Sequence, residues 1–98
     1  MPWPVVFSPE ANDDLTSLFD WIARSSGAEV AGNYLDRIEA FCLGLGHAPH
    51  RGHLRSDIRE NLRIVGFERR LTIAFTIEAE RVIILRLAYA GRNWQADF

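Results

Sequence analysis

The chain has no lysine: all eleven basic residues are arginine, set against thirteen aspartates and glutamates and three histidines. A net charge of -2 does not suit a protein held to nucleic acid by bulk charge, which needs a clear excess of cations. The single cysteine, Cys42, excludes an internal disulfide. The N-terminus also lacks a charged segment followed by an apolar one, so a reducing, cytoplasmic setting is expected. No run approaches the ~18 consecutive apolar residues of a membrane span, so no membrane association is expected. Repeats, low-complexity tracts and linkers are missing too.

What is there is ordinary globular composition, 48% hydrophobic and 24% charged over 98 residues. That length corresponds to a single domain, residues 1–98, with one core. Charge is distributed unevenly. Residues 1–46 hold two arginines against seven carboxylates; residues 47–98 hold nine against six, with all three histidines. Either the second half meets an anionic partner or the two halves attract one another within the fold. The exclusive use of arginine fits bidentate contacts to carboxylate or phosphate, and fits codon bias equally well.

Trp3–Phe7 is apolar and β-prone with Pro2 and Pro4 at its start, which predicts an edge strand, because proline cannot donate to a ladder. Ser8-Pro9-Glu10 is a helix start, with Ser8 as N-cap, Pro9 in the first turn and Glu10 near the positive dipole end. Ala11, Leu15, Leu18, Phe19 and Ile22 follow as one apolar stripe, with Asp13, Asp14 and Asp20 on the other side and an end near Arg24–Ser25. Ser26 and Glu29 are spaced as a capping box for a second helix. Its stripe is Val30, Tyr34, Ile38, Phe41, Cys42 and Leu45, with Glu29, Asn33, Asp36, Arg37 and Glu39 mostly outward; Gly44, Gly46 and Pro49 stop it. So short a connection makes the two helices an antiparallel hairpin.

His47–Asn61 is polar, basic and without clean periodicity, a long loop with one helical turn near Ser56–Arg59. Strands are predicted over Leu62–Phe67, Leu71–Ile77 and Val82–Ala88, joined by a bend at Gly66–Arg69 and a hairpin at Glu78–Arg81. Alternation assigns Leu62, Ile64, Leu71, Ile73, Phe75, Ile77, Ile83, Leu85 and Leu87 to the core face. Arg63, Val65, Arg70, Thr72, Ala74, Thr76, Val82, Ile84, Arg86 and Ala88 then form an open face carrying three arginines. The expected fold is α+β: an N-terminal strand, an antiparallel helical hairpin, then a three-stranded antiparallel meander. The helices pack on one face of this small sheet, and the first strand joins it to make four.

In this order the residues resemble the RelE/ParE superfamily of type II toxin–antitoxin toxins. The matching residues are Phe7-Ser8-Pro9-Glu10-Ala11 with Asp14-Leu15, Pro49 and Gly52, Leu62-Arg63, and Ile84-x-Arg86-Leu87-x-Tyr89-x-x-Arg92. The resemblance runs over nearly the whole chain. Two activities occur in the superfamily: ParE-like members act on DNA gyrase, and RelE-like members cut messenger RNA on the ribosome. The missing lysines, the negative net charge and the long amphipathic hairpin favour the ParE-like branch. Tyr89 stands where many members have histidine, and Asn93 follows Arg92 where aspartate is frequent.

The resemblance implies a growth-inhibiting toxin acting by binding, with gyrase as target, and no cofactor. It also implies a cognate ParD-like antitoxin forming a hetero-oligomer over the open sheet face. Arg63, Arg70, Arg86, Tyr89, Arg92 and Trp94 are the candidate contacts to antitoxin or target. No direct sequence-specific nucleic-acid binding is expected. The alternative is a metal-independent endoribonuclease, in which Arg63 and Arg86 would hold phosphate and Tyr89 or His53 would supply the proton. A third reading is an interaction module without toxicity. Some of these residues have plainer readings. Arg86 can serve as a structural arginine paired within the fold, Trp94 as a plug on the core, and Cys42 as core. His47, His50 and His53 at three-residue spacing have no acid or cysteine ligand nearby in the loop, and are read as solvated rather than metal-binding.

Overall fold

The computed structural model describes residues 2–89 together with Gln95 and Phe98. Its elements run β1 (Val5–Phe7), α1 (Pro9–Ser26), α2 (Ala28–Gly44), β2 (His53–Leu54), β3 (Arg63–Phe67), β4 (Leu71–Glu78) and β5 (Arg81–Tyr89). The expected α+β architecture is present: a helical hairpin lies against a mixed sheet ordered β1-β5-β4-β3-β2. The sheet has five strands rather than four, because His53–Leu54 pairs antiparallel with Arg63–Ile64 inside what reads as a loop. A two-residue strand leaves no periodic signature in sequence. β1 joins at the opposite edge, parallel to β5, since the chain crosses the sheet through the hairpin and the meander before returning beside it.

Helix α1 begins as its residues dictate. Ser8 is extended, its hydroxyl accepts from the Ala11 N–H at 3.0 Å, and Pro9 opens the helix. The turn into α2 differs from the expected capping box. Ser26 is the last residue of α1, and Gly27 at φ 99° both ends one helix and precedes the next, without a side-chain cap. A side chain at that dihedral is strained, so glycine reverses the chain in one residue where a serine cap needs more. The stripe of α2 begins at Ala31, which is fully buried, while Val30 is 51% exposed. Glu29, Asn33, Asp36, Arg37 and Glu39 face outward as expected.

Fully buried side chains from both layers meet in one core: Ile38, Cys42 and Leu45 from the α2 side, Ile73, Phe75, Val82 and Ile84 from the sheet. Burying each large aliphatic or aromatic side chain contributes about 1.5–3 kcal/mol, so these positions hold the hairpin on the sheet.

The faces of two strands are reversed from simple alternation. In β5, Ile84 pairs with Phe75 and Arg86 with Ala74, so Leu85 is an extra residue, a β-bulge. Before it, Val82 and Ile84 are core; after it, Leu87 is. Ile83 and Leu85 are therefore not core, contrary to expectation, and only Leu87 keeps its assigned side. In β3, Arg63, Val65 and Phe67 stand opposite Phe75, Ile73 and Leu71, and Val65 and Phe67 pack on the core. The opposite parity arises because the turn occupies Glu68–Arg70, with Glu68 and Arg69 both at positive φ.

The second face of the sheet is not open. Ala74, Thr76 and Ala88 are 1%, 4% and 7% exposed, and Leu62 is fully buried. The segment between β2 and β3 folds back on it. The Thr76 hydroxyl donates to the Asn61 carbonyl at 3.1 Å, and the Arg55 N–H donates to the Leu62 carbonyl at 2.7 Å. One turn with Ile58 N–H to Arg55 O is formed there, as expected. Upstream, Gly52 lies at φ 79° against the Ile64 carbonyl, where a Cβ would collide, so the Pro-x-x-Gly spacing answers to a backbone contact.

Candidate interaction site

Strand β1 covers only Val82–Ile84 of its neighbour, so the edge of β5 from Leu85 onward meets α1 instead. Side chains from the β1–α1 segment take over there. The Ser8 hydroxyl donates to the Leu85 carbonyl at 2.9 Å. The Asp14 carboxylate accepts from the Leu87 N–H at 2.9 Å and from Arg86 through Nε at 2.8 Å and a terminal nitrogen at 2.9 Å. Asp14 is only 9% exposed, a correction to its expected outward position. It sits three residues after Ala11 and four before Leu18, squarely on the buried stripe. That spacing was the signal for it: an acid on an apolar stripe needs a partner in the fold.

Arg86 is accordingly tied into the fold, its guanidinium bound to α1 rather than presented on an open face. Arg63 is held as well, donating to the carbonyls of His50 at 2.9 Å and Arg51 at 3.4 Å, which pins the loop before β2. The two arginines point to different parts of the structure. His53 lies on the outermost strand, three strand spacings from Arg86, roughly 14 Å at about 4.8 Å per spacing. Tyr89 packs among aromatic rings, 5.3 Å from Trp21 and 6.0 Å from Tyr34 between centroids. The four residues considered for RNA cleavage are not brought together. Arg70 is exposed at the β3–β4 turn, and Arg92 and Trp94 lie outside the described residues. Among the described residues, no three His, Cys, Asp or Glu side chains are grouped as a metal site.

A surface feature that sequence reasoning missed is Trp21, 49% exposed on α1 with its ring tilted against that of Tyr89. It flanks the stripe beside Ile22, and only its size distinguished it. The Trp21–Tyr89 pair stands between two hollows. One, of about 410 Å³, lies between α1 and β5 and is lined by Asp14, Leu18, Arg24 and Leu87. The other, of about 370 Å³, lies between the hairpin tip and the β3–β4 turn and is lined by Val30, Tyr34, Arg37, Glu68 and Arg70.

Charges here are unevenly matched. Glu68 receives Arg37 Nε at 2.8 Å and a second nitrogen at 3.0 Å, and those hydrogen bonds hold its carboxyl below the usual range. Asp14 is taken by Arg86. Arg24 and Arg70 make no ion pair among the described residues. Under the second hollow, the Tyr34 hydroxyl is buried with no hydrogen-bond partner. Its pKa is pushed up to about 12, by burial first and then by Tyr89 and Glu68. Cys42, on the far side of α2's stripe, is a core thiol whose pKa burial raises to about 12.

The comparisons agree with this frame. The ParE toxin family of the type II toxin–antitoxin system parDE matches over residues 5–94, and the chain belongs to that family. It is thus a toxin of the ParE/RelE superfamily of type II toxin–antitoxin systems. It is 30% identical over 93 residues to Toxin ParE3 of Caulobacter vibrioides, covering 95% of this chain and 92% of that protein. Among solved structures, the fold is similar to the chromosomal ParDE toxin–antitoxin system of P. aeruginosa. The TM-score is 0.78 at 20% identity, over 90% of this chain and 96% of that one. It is also similar to the RelBE2 toxin–antitoxin complex of Mycobacterium tuberculosis, with a TM-score of 0.65 at 24% identity over 91% and 92% of the two chains.

Proposed function

We propose that this toxin inhibits growth by binding DNA gyrase in the cytoplasm, and that a cognate ParD-like antitoxin neutralises it by forming a hetero-oligomer. The observation that carries binding over RNA cleavage is the fate of the arginines. Arg86 gives its Nε and one terminal nitrogen to Asp14, and Arg63 gives one terminal nitrogen to the chain's own carbonyls. Cations that stabilise a developing phosphorane must instead be directed at the place where that charge forms. His53, one of the two alternative proton donors, is also three strands away from Arg86, whereas the acid must reach the phosphate that the arginines would hold. The curated relative carries a ParE name, which favours the same branch.

Arg70 and Tyr89, with Trp21 beside them, are the candidate contacts that keep an accessible surface, and they belong to the proposed docking region. Arg92 and Trp94 remain candidates for target contact. The test is a gyrase supercoiling assay with purified protein, read together with cleavage of messenger RNA in a translating extract. Loss of supercoiling or accumulation of cleaved-DNA complexes is expected, with RNA intact. Inertness toward gyrase together with RNA cut during translation would overturn the proposal in favour of the ribonuclease alternative.

A further inference from the structure

The uneven charge of the two halves has two explanations, an anionic partner for the second half or attraction between the halves within the fold. The structure separates them. Among the described residues, the arginines of the second half form one ion pair with an acid of the first, Arg86 with Asp14. Arg55–Asp57 lies within the second half, and Arg37–Glu68 runs the opposite way. The fold therefore leaves the excess of cations unused. Most of it lies between His47 and Arg63, where Arg51, Arg55, Arg59 and Arg63 stand against Asp57 and Glu60.

This stretch forms the outer edge of the sheet. β2 is the outermost strand, paired with β3 on one side only, and His53 and Leu54 are both exposed. Two of the arginines build the edge. Arg63 holds the carbonyls of His50 and Arg51, and Arg55 grips Asp57 through two hydrogen bonds of 3.0 Å. Arg51 and Arg59 are exposed, and neither has an ion pair among the described residues. Each guanidinium lies over an aromatic ring instead, Arg51 5.0 Å from the centre of Phe41 and Arg59 5.9 Å from that of Phe98. A ring face fixes a guanidinium while leaving its in-plane N–H donors for an oxygen ligand. Phe41 belongs to α2, whereas Arg59 belongs to the segment folded over the opposite face of the sheet, so the two cations flank the exposed edge.

We infer that this edge touches the phosphate backbone of the DNA that gyrase holds, with Arg51 and Arg59 each on a phosphate and no base read. This rests on the gyrase reading above and gives that target a DNA contact. A specific protein interface is built around an apolar centre. Here Leu54, 54% exposed, is the only large exposed apolar side chain of the stretch among the described residues. Two guanidinium forks with free donors match phosphodiester oxygens instead. With a net charge of -2 the chain has little pull on free DNA, so the contact adds to a complex in which gyrase supplies the duplex.

The test is binding of the toxin to gyrase with and without a bound duplex, across a range of salt, by biolayer interferometry. Wild type should bind the DNA-loaded enzyme more tightly, with a log–log salt slope steeper by about 1.8 for two phosphates. Arg51→Gln with Arg59→Gln should erase that increment and lose about tenfold in affinity for DNA-loaded gyrase at low salt. Each single substitution should remove about half of the slope. On DNA-free gyrase and on the antitoxin the double variant should match wild type, which also shows that it is folded. Arg81→Gln, at the β4–β5 turn, should bind as wild type throughout.

Unchanged slope and affinity on DNA-loaded gyrase, in the double variant and in both single ones, overturns the DNA contact and leaves the gyrase reading standing. An equal loss on DNA-free gyrase overturns it too, since the arginines would then meet an acidic protein surface. An equal loss for Arg81→Gln does the same, because only general charge would be at work. Wild-type protein that binds gyrase in neither form takes down the gyrase reading, and this contact with it.

Discussion

Asp14 is the residue whose removal should do most damage for its size. Its carboxylate accepts three hydrogen bonds at 2.8–2.9 Å, two from Arg86 and one from the Leu87 N–H, at the stretch of β5 that β1 does not cover. Breaking a fully buried ion pair by deleting one member costs about 3–5 kcal/mol. The Arg86 side chain keeps 22% exposure and some access to water, which puts the pair near the low end. The bare Leu87 N–H adds to this, so Asp14→Ala should lose about 3 kcal/mol. For a domain of this size that is a fall in Tm of about 12–24 °C by calorimetry, or a matching shift in urea midpoint at unchanged slope. Asp14→Asn keeps an acceptor for Leu87 and should lose about half as much. The pair Asp14→Leu with Arg86→Met should recover most of the loss, because apolar replacement of both members of a buried pair is often neutral. A loss below about 1 kcal/mol in Asp14→Ala, or a double variant no more stable than it, would refute the view that this pair anchors α1 to β5.

Three further outcomes concern the backbone, titration and the core thiol. Ala79 and Glu80 form the two-residue β4–β5 turn with φ of 51° and 59°, so Ala79→Asn with Glu80→Gly should stabilise by about 1 kcal/mol in urea unfolding. A destabilised variant would mean that these side chains contribute more than their dihedrals cost. Both Tyr34 and Cys42 have folded pKa values near 12, above their ordinary 10.0 and 9.0. The folded state therefore holds protons that the unfolded chain releases, and stability falls as pH rises from about 9 toward 12. Tyr34→Phe should flatten this decline above pH 10, and a chevron or melt series across that range checks it. In the folded protein the Cys42 thiol should resist a thiol reagent at pH 8 and react on unfolding.

Local rules carried the sequence reading a long way. Ser8-Pro9-Glu10 forms the helix start it predicts, the hairpin is where the two stripes put it, and the three-stranded meander has its expected order. Each depends on residues within a turn or a strand of one another, where spacing and capping chemistry act directly. The ordered set of motifs was also enough to suggest the family, because it samples every element of the chain. The candidate site was legible only in part: Arg70 and Tyr89 lie on it, whereas Tyr34 stands in the sequence only as one of an apolar stripe and Trp21 is not singled out by any pattern.

What tertiary structure alone decided is how those elements face each other. The bulge at Leu85 exchanges the inner and outer sides of β5, and nothing in ILRLAY distinguishes one apolar alternation from the other until β4 sets the register. Arg86 is paired within the fold, the plainer of its two sequence readings, by an aspartate 72 positions earlier in the chain. A period of two or of 3.6 residues says which side chains share a side. It does not say what lies across from them. That depends on the packing of α1 against the uncovered edge of β5, where one carboxylate finds both a guanidinium and a bare N–H.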